Sequence, residues 1–126
     1  MNWIDHAITE FGRNIGIPSL QLNSSLRLKL KLENDCFINI QHMPELTLPE
    51  VIISRSELLN YLNEKQFRAA LKLANFRKQT IWPVQVGCNE KELLIAMRIP
   101  ERSFSLNVLE QSIEQLTLLH KKIKNI

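Results

Sequence analysis

Residues 57–76 constrain the fold of this chain most strongly, because they contain no Gly or Pro and consist of good or neutral helix formers. Ser54 and Glu57 have the spacing of a capping box. Ile53 and Leu58 flank that box and have the spacing of a hydrophobic staple. The sequence therefore predicts a central helix over residues 57–76.

The apolar surface of this predicted helix is wider than one core requires. At about 100° per residue, its apolar side chains cover roughly 220° of arc, whereas a helix lying on a single core needs little more than about 100°. One stripe comprises Leu58, Leu62, Ala69, Leu73 and Phe76, and the next comprises Leu59, Phe67, Ala70, Leu71 and Ala74. We therefore expect the helix to contact a protein partner as well as its own core.

The size and composition indicate one soluble domain over residues 1–126. The chain has 44% hydrophobic and 23% charged residues, which is ordinary for a globular protein that buries a core. Asp5, Glu10 and Arg13 lie where a signal peptide needs an apolar run, and no stretch approaches the length of a membrane span. We expect a cytoplasmic protein with no stable membrane insertion, in which Cys36 and Cys88 are buried reduced thiols.

The order of the predicted elements is α-β-β-β-α-β-β-α, an α+β pattern with three helices and a mainly antiparallel sheet. The first helix covers residues 2–15 and is stopped at Gly16, and the last covers about 107–124 with a capping box at Asn107. The strands are predicted at 26–32, 36–42, 46–53, 80–88 and 93–99. Pro49 and Pro83 indicate edge or bent strands, whereas apolar residues on both faces of 93–99 indicate a central one.

No arrangement of side chains predicts catalysis, and we predict no cofactor, metal or catalytic residue. His6, His42 and His120 lack metal-ligand spacing, and the three glycines are too far apart for a phosphate-binding loop. Alternation in the first strand places Arg27, Lys29 and Lys31 on one face. This row could face phosphates, but we favour a solvated face because no aromatic stacking partners accompany it. A small basic regulatory or nucleic-acid-binding protein stays the alternative function.

Two stretches at the ends of the chain resemble a known family. The first comprises Trp3, Ile4, Ile8, Phe11, Gly16, Pro18 and Ser19, and the second comprises Glu101, Arg102, Ser103, Leu106, Leu109, Gln111, Glu114, Gln115 and Leu116. Together with the element order, they resemble the class I chaperones of type III secretion, which share the CesT/SycE-like fold, and within that family the SycN branch. The resemblance spans the chain, and its specific residues lie at the two ends.

The resemblance implies a cytoplasmic chaperone without nucleotide hydrolysis, with peripheral contact at the secretion apparatus. It implies a heterodimer with a second small chaperone, with a homodimer as the alternative, and binding of a secreted, YopN-like gatekeeper. The family's dimer contact along the central helix carries over to Leu59, Leu62, Phe67, Ala70, Leu71 and Ala74. An extended cargo segment would add to a sheet edge and place apolar side chains in pockets. We predict that these pockets are lined by Trp3, Phe11, Trp82, Val84, Leu94 and Ala96.

Overall fold

A computed structural model describes residues 3–32, 35–58, 63–75, 82–88 and 91–126. The helices are α1 (Trp3–Asn14), α2 (Glu64–Asn75) and α3 (Leu106–Lys124), and a 3-10 turn covers Glu101–Ser103. The strands are β1 (Arg27–Lys31), β2 (Cys36–Met43), β3 (Glu50–Leu58), β4 (Val84–Cys88) and β5 (Glu92–Pro100). The predicted α+β class and order of elements are confirmed.

The strands form one sheet in the order β1-β2-β3-β5-β4, and every neighbouring pair is antiparallel. β1 and β4 are therefore the two edge strands. β5 lies inside the sheet, as its apolar faces predicted, and β4 lies at the edge, as Pro83 predicted. Within the described ranges, no helix is both long and apolar enough to cross a membrane.

The hydrophobic core lies between one face of the sheet, called the inner face here, and the helices. Its fully buried side chains include Ile4 and Ile8 of α1, Leu109 and Leu116 of α3, and Ile95 of β5. α3 packs across β3 and β5 and also contacts α1 and α2. The opposite, outer face of the sheet carries side chains that are mostly exposed or half-buried.

The prediction of a helix over residues 57–76 is wrong at its N-terminal end. Ser54 and Glu57 are strand residues, which lie opposite Ala96 and Leu93 of β5, so they do not form a capping box. Leu58 is the last residue of β3, and α2 begins at Glu64. The helix prediction failed because two charged side chains occupy buried strand positions and so hide the alternation of a strand.

Two further predictions about element ends are corrected by the structure. Pro49 does not mark an edge strand, because it precedes β3, which is internal; its missing N–H therefore removes no hydrogen bond from the ladder. α3 begins at Leu106, and its cap is Ser105, whose hydroxyl oxygen accepts a hydrogen bond from the Val108 N–H, instead of Asn107.

The chain turns sharply after α1, and two glycines make this turn fit. Gly16 has a φ of +84°, a left-handed conformation that favours glycine at the end of a helix, as predicted. A Cβ atom on Gly12 would lie 2.4 Å from the Ile17 carbonyl oxygen and 2.5 Å from the Leu20 Cβ. The segment that follows α1 can therefore fold back against the helix only because residue 12 is a glycine.

Candidate partner-binding surfaces

α2 presents one side to the core and another to solvent. Ala70 is fully buried and Phe67 is partly buried against the core, whereas Leu71 is 60% exposed. Of the other residues predicted at a dimer contact, Leu59 and Leu62 lie outside the described residues, and Ala74 is described only as part of the helix backbone. Leu71 is thus the described member of the set that is available to a partner, and the dimer contact stays a prediction.

The six residues predicted to line cargo pockets do not lie together. Phe11 is 6% exposed in the core, whereas Trp3 is 52% exposed at the start of α1. Leu94 and Ala96 lie on the outer face of β5, with Leu94 half-buried and Ala96 9% exposed. Trp82 and Val84 are partly buried against the core beside the β4 edge. The sequence alone did not assign each of these residues to a face or an edge of the sheet.

Two clefts lie at the end of the sheet where β2 and β5 finish. One, of about 280 Å³, is lined by Leu48, Pro49, Glu50, Pro100, Glu101 and Arg102. The other, of about 500 Å³, is lined by Ser24, Ser25, Leu26, Gln41, His42, Met43, Pro44, Glu45 and Leu46. His42 lines the larger cleft and Glu101 lines the smaller one, and the His42 Nε2 atom lies 2.8 Å from a Glu101 carboxylate oxygen. This contact joins the walls of the two clefts. Neither cleft contains any of the six predicted cargo residues.

A group of charged side chains joins β2, β3 and α3, and sequence reasoning missed it. Arg55 and Glu57 are buried in this group, and Lys124 is exposed at its rim. The Glu57 carboxylate accepts hydrogen bonds from Arg55 Nη1 at 2.8 Å and Cys36 Sγ at 3.2 Å, and its other oxygen pairs with Lys124 Nζ at 2.8 Å. His120 Nε2 lies 2.8 Å from the Arg55 carbonyl oxygen, and because a carbonyl only accepts, this nitrogen donates. These contacts tie the C-terminal part of α3 to β3.

Burial and hydrogen bonding shift the pKa values of Glu57, His120 and Cys36. Burial opposes ionisation of Glu57, but hydrogen bonds from Lys124, Arg55 and Cys36 outweigh it and lower the pKa to about 2. Burial, reinforced by the Arg55 guanidinium, lowers the pKa of His120 to about 4. Burial is also the main cause that raises the pKa of the Cys36 thiol. Cys36 is therefore a protonated thiol and His120 a neutral imidazole at pH 7, which favours a structural role over nucleophilic chemistry.

The described residues contain no cluster of three or more His, Cys, Asp or Glu side chains that could hold a metal ion. His6 is exposed on α1, while His42 and His120 are both buried and already bonded to protein groups. Besides the two clefts, the described surfaces open to a partner include the solvent side of α2, the outer face of the sheet and its two edges.

Comparisons with known proteins agree with this architecture. The family model described as "Type III secretory system chaperone SycN" matches residues 3–124. "Chaperone protein SycN" of Yersinia enterocolitica serotype O:8 / biotype 1B is 30% identical over 125 residues, which cover 98% of each chain. The protein of the same name from Yersinia pseudotuberculosis serotype I is also 30% identical over 125 residues.

Solved structures show the same fold at low sequence identity. A chain in the crystal structure of the ExsC-ExsE complex has a TM-score of 0.74 at 16% identity, with 90% of this chain and 85% of that chain covered. A chain in the HopA1-SchA chaperone-effector complex also has a TM-score of 0.74, at 11% identity, with coverage of 98% and 94%. The family match extends over nearly the whole chain, and the solved structures share the fold observed here. The chain therefore belongs to the SycN family of type III secretory system chaperones, and its function is that of a secretion chaperone and not of an enzyme.

Proposed function

We propose that this chain pairs with a second small type III secretion chaperone in the bacterial cytoplasm. The pair binds an extended segment of a secreted, YopN-like gatekeeper and regulates its export. The observation that carries the pairing is the two-sided character of α2, where a fully buried Ala70 is followed by a Leu71 that is 60% exposed. Leu71 belongs to the set that the family's dimer contact along the central helix implies, so its exposure leaves that side of α2 open to a partner helix.

The open sheet edges support binding of an extended cargo segment. Among the strands that the structure describes, β1 and β4 each have a neighbour on one side only, so each offers an edge to which a further strand could add through main-chain hydrogen bonds. One structural neighbour is described as a chaperone-effector complex, which supports the use of this fold to bind a secreted protein. Ordering a flexible segment costs roughly 2–5 kcal/mol or more, and buried apolar contacts must offset that cost.

The formal net charge of +3 favours an acidic companion over a second copy of the same chain. Two copies of a basic chain repel each other at long range, whereas an acidic sibling chaperone balances the charge of the pair. A homodimer is the other outcome of the experiment below.

Co-expression with the neighbouring small open reading frames, followed by purification and light scattering, tests the proposal. We expect a stable complex of two small chaperones that also retains a secreted protein. A soluble and stable monomer of this chain, without any companion, would refute the pairing.

A substitution on α2 tests the contact itself. Because Leu71 is 60% exposed, Leu71→Glu should abolish pairing and leave the helical circular dichroism of the separate chain unchanged. Leu118→Glu on α3 is the matched control, since Leu118 is 53% exposed and lies outside the proposed contact. Equal effects of the two substitutions on pairing would contradict the assignment to α2.

A further inference from the structure

We propose that Lys124, at the C-terminal end of α3, is a positioning residue that fixes α2 in the orientation in which it meets a partner chaperone. The side chain of Lys124 reaches the end of β3, and its carbonyl oxygen holds the first turn of α2. This inference rests on the proposed function, because it takes the solvent side of α2 as the pairing surface. It adds a residue of a different helix to those that determine pairing.

The Lys124 side chain is anchored to a buried carboxylate. Its Nζ atom lies 2.8 Å from the Glu57 Oε2 atom, and Glu57 is 3% exposed near the end of β3. The other oxygen of this carboxylate accepts a hydrogen bond from Arg55 Nη1 at 2.8 Å, so both oxygens are engaged. Because solvent ions screen a buried carboxylate less than an exposed one, this anchor holds at ordinary salt. The end of β3 therefore fixes where the last turn of α3 lies.

The main chain of Lys124 supplies the contact with α2. Lys124 is the last residue of α3, and the carbonyl groups of a final helical turn have no donor within their own helix. The Gln66 Nε2 atom donates a hydrogen bond to the Lys124 carbonyl oxygen at 3.1 Å. Gln66 is half-buried and belongs to the first turn of α2. A terminal carbonyl of one helix is thus satisfied by a side chain of the other.

The same glutamine also caps the start of α2. The Gln66 N–H donates to the Asn63 Oδ1 atom at 2.9 Å, and the Gln66 Oε1 atom accepts from the Asn63 N–H at 3.0 Å. These reciprocal hydrogen bonds form a capping box. The Oε1 and Nε2 atoms belong to one planar amide, so the cap and the bond to Lys124 require the same orientation of the side chain. One residue therefore sets both where α2 begins and where its first turn contacts α3.

The two helix ends also attract each other electrostatically. The N-terminus of an α-helix carries a partial positive charge, and the C-terminus carries a partial negative charge. The hydrogen bond between Gln66 and Lys124 brings the N-terminus of α2 to the C-terminus of α3. The attraction between the helix ends reinforces the contact that this bond makes.

α2 depends on this contact because it buries few side chains. Among its described side chains, only Ala70 is fully buried, while Phe67 and Ala69 are partly buried against the core. At about 100° per residue, Leu71 lies about 140° around the helix axis from Gln66. A helix that is held by α3 at Gln66 and by the core at Ala70 cannot rotate about its axis. The contact with α3 therefore keeps Leu71 directed toward a partner.

Amide hydrogen exchange of the full chain tests this positioning. Lys124→Met removes the ammonium, and the exchange rates of the Ala70 and Leu71 amides should rise about tenfold because α2 opens locally. Lys124→Arg should keep the wild-type rates. Lys121→Met is the matched control, since Lys121 is an exposed residue of the same end of α3 without an ion pair to any described residue. Unchanged α2 rates in Lys124→Met, or an equal rise in Lys121→Met, would overturn the inference.

Pairing affinity supplies a readout that a general loss of stability does not move. The probe is the companion chaperone purified by co-expression, titrated by calorimetry, or the chain itself in a dilution series if it forms a homodimer. Lys124→Met should pair about tenfold more weakly than the wild type. Ser105→Ala is the control for stability, because it removes the cap at the opposite end of α3 and should leave pairing unchanged. Equal weakening by the two substitutions would refute the positioning role.

A substitution in α2 tests the other half of the contact. Gln66→Glu keeps an oxygen for the Asn63 N–H but lacks the Nε2 donor to the Lys124 carbonyl. Because Glu also suits this position of a capping box, helix content should stay the same while α2 exchanges faster and pairing weakens. If Lys124→Met fails to fold, this variant decides alone, and wild-type exchange and pairing in Gln66→Glu would overturn the inference.

The double variant Lys124→Met/Gln66→Glu tests whether the two residues act through one contact. It should lose no more affinity than the more weakly pairing single variant, because either substitution already breaks the contact. Losses that add in full would contradict a shared contact.

The outcomes separate this inference from the proposed function. If the wild-type chain pairs with a companion and Lys124→Met pairs equally well, the proposed pairing stands and only the role of Lys124 is lost. If the wild-type chain is a stable monomer without a companion, the proposed pairing fails, and the inference that Lys124 positions α2 for a partner fails with it.

Discussion

His120 predicts a loss of stability in mild acid. This imidazole lies on the buried side of α3 and is 1% exposed. It donates to the Arg55 carbonyl, and its Nδ1 atom has no hydrogen-bond partner in the described structure. Burial, together with the nearby Arg55 guanidinium, lowers its pKa from 6.5 to about 4. In the unfolded chain the same histidine titrates near its ordinary value, so below pH 6.5 the unfolded state binds a proton that the folded state refuses.

The size of the effect follows from this difference. Each pH unit over which the two states differ by one proton changes the free energy of unfolding by about 1.4 kcal/mol. Between pH 7 and pH 5, His120 should therefore cost about 2 kcal/mol, and the full cost by pH 4 is about 3 kcal/mol. Glu57 does not interfere in this window. Its pKa is lowered from 4.5 to about 2, so its contribution is present above pH 4.5 and is lost only at lower pH.

Urea unfolding at pH 7, 6 and 5 measures the effect at one fixed protein concentration. His120→Gln keeps a donor for the Arg55 carbonyl but does not titrate, so its free energy of unfolding should lose about 2 kcal/mol less than the wild type between pH 7 and pH 5. His42→Gln is the control for the second buried histidine, which is paired with Glu101. Parallel pH profiles for the wild type and His120→Gln would refute the reasoning.

Two further substitutions test how the helices are fixed. Gly12→Ala should lower the free energy of unfolding by about 1–3 kcal/mol, because its Cβ would clash with the Ile17 carbonyl oxygen and the Leu20 Cβ. Gly87→Ala is the control, because Gly87 is exposed and the nearest atom to an added Cβ is 3.9 Å away. Ser105→Ala should lower the free energy of unfolding by about 1 kcal/mol through loss of the α3 cap, whereas Asn107→Ala should change it by much less. Urea unfolding measures both variants. A larger loss for Asn107→Ala than for Ser105→Ala would favour the cap predicted at Asn107.

The period of apolar residues was sufficient to predict an element where its buried positions are apolar and its exposed positions are polar. The alternation around β1 and β2, the apolar stripe of α1 and the stop at Gly16 all gave elements close to those observed. Local signals failed where a partner distant in sequence overrides them. Arg55 and Glu57 have the polar character of the first turn of a helix, yet they occupy buried positions of β3. Cys36 forms hydrogen bonds with both of them there, and Lys124 forms an ion pair with Glu57.

The candidate binding surfaces divide in the same way. The sequence placed Arg27, Lys29 and Lys31 on one face of a strand, but it held no information on whether that strand had one neighbour or two. It likewise grouped Phe11 with Trp3 as a cargo residue, although packing of α1 buries the first and leaves the second half exposed.

By itself, the sequence determined the class of fold, most of the strands and helices, and the resemblance to type III secretion chaperones, because these depend on local propensity, period and short motifs. The tertiary structure alone decided that β3 extends to Leu58, that β1 is an edge, and that Glu57 is a buried anion. These properties depend on which segments become neighbours, and hydrogen bonds and ion pairs between such segments outweigh the propensities of either one.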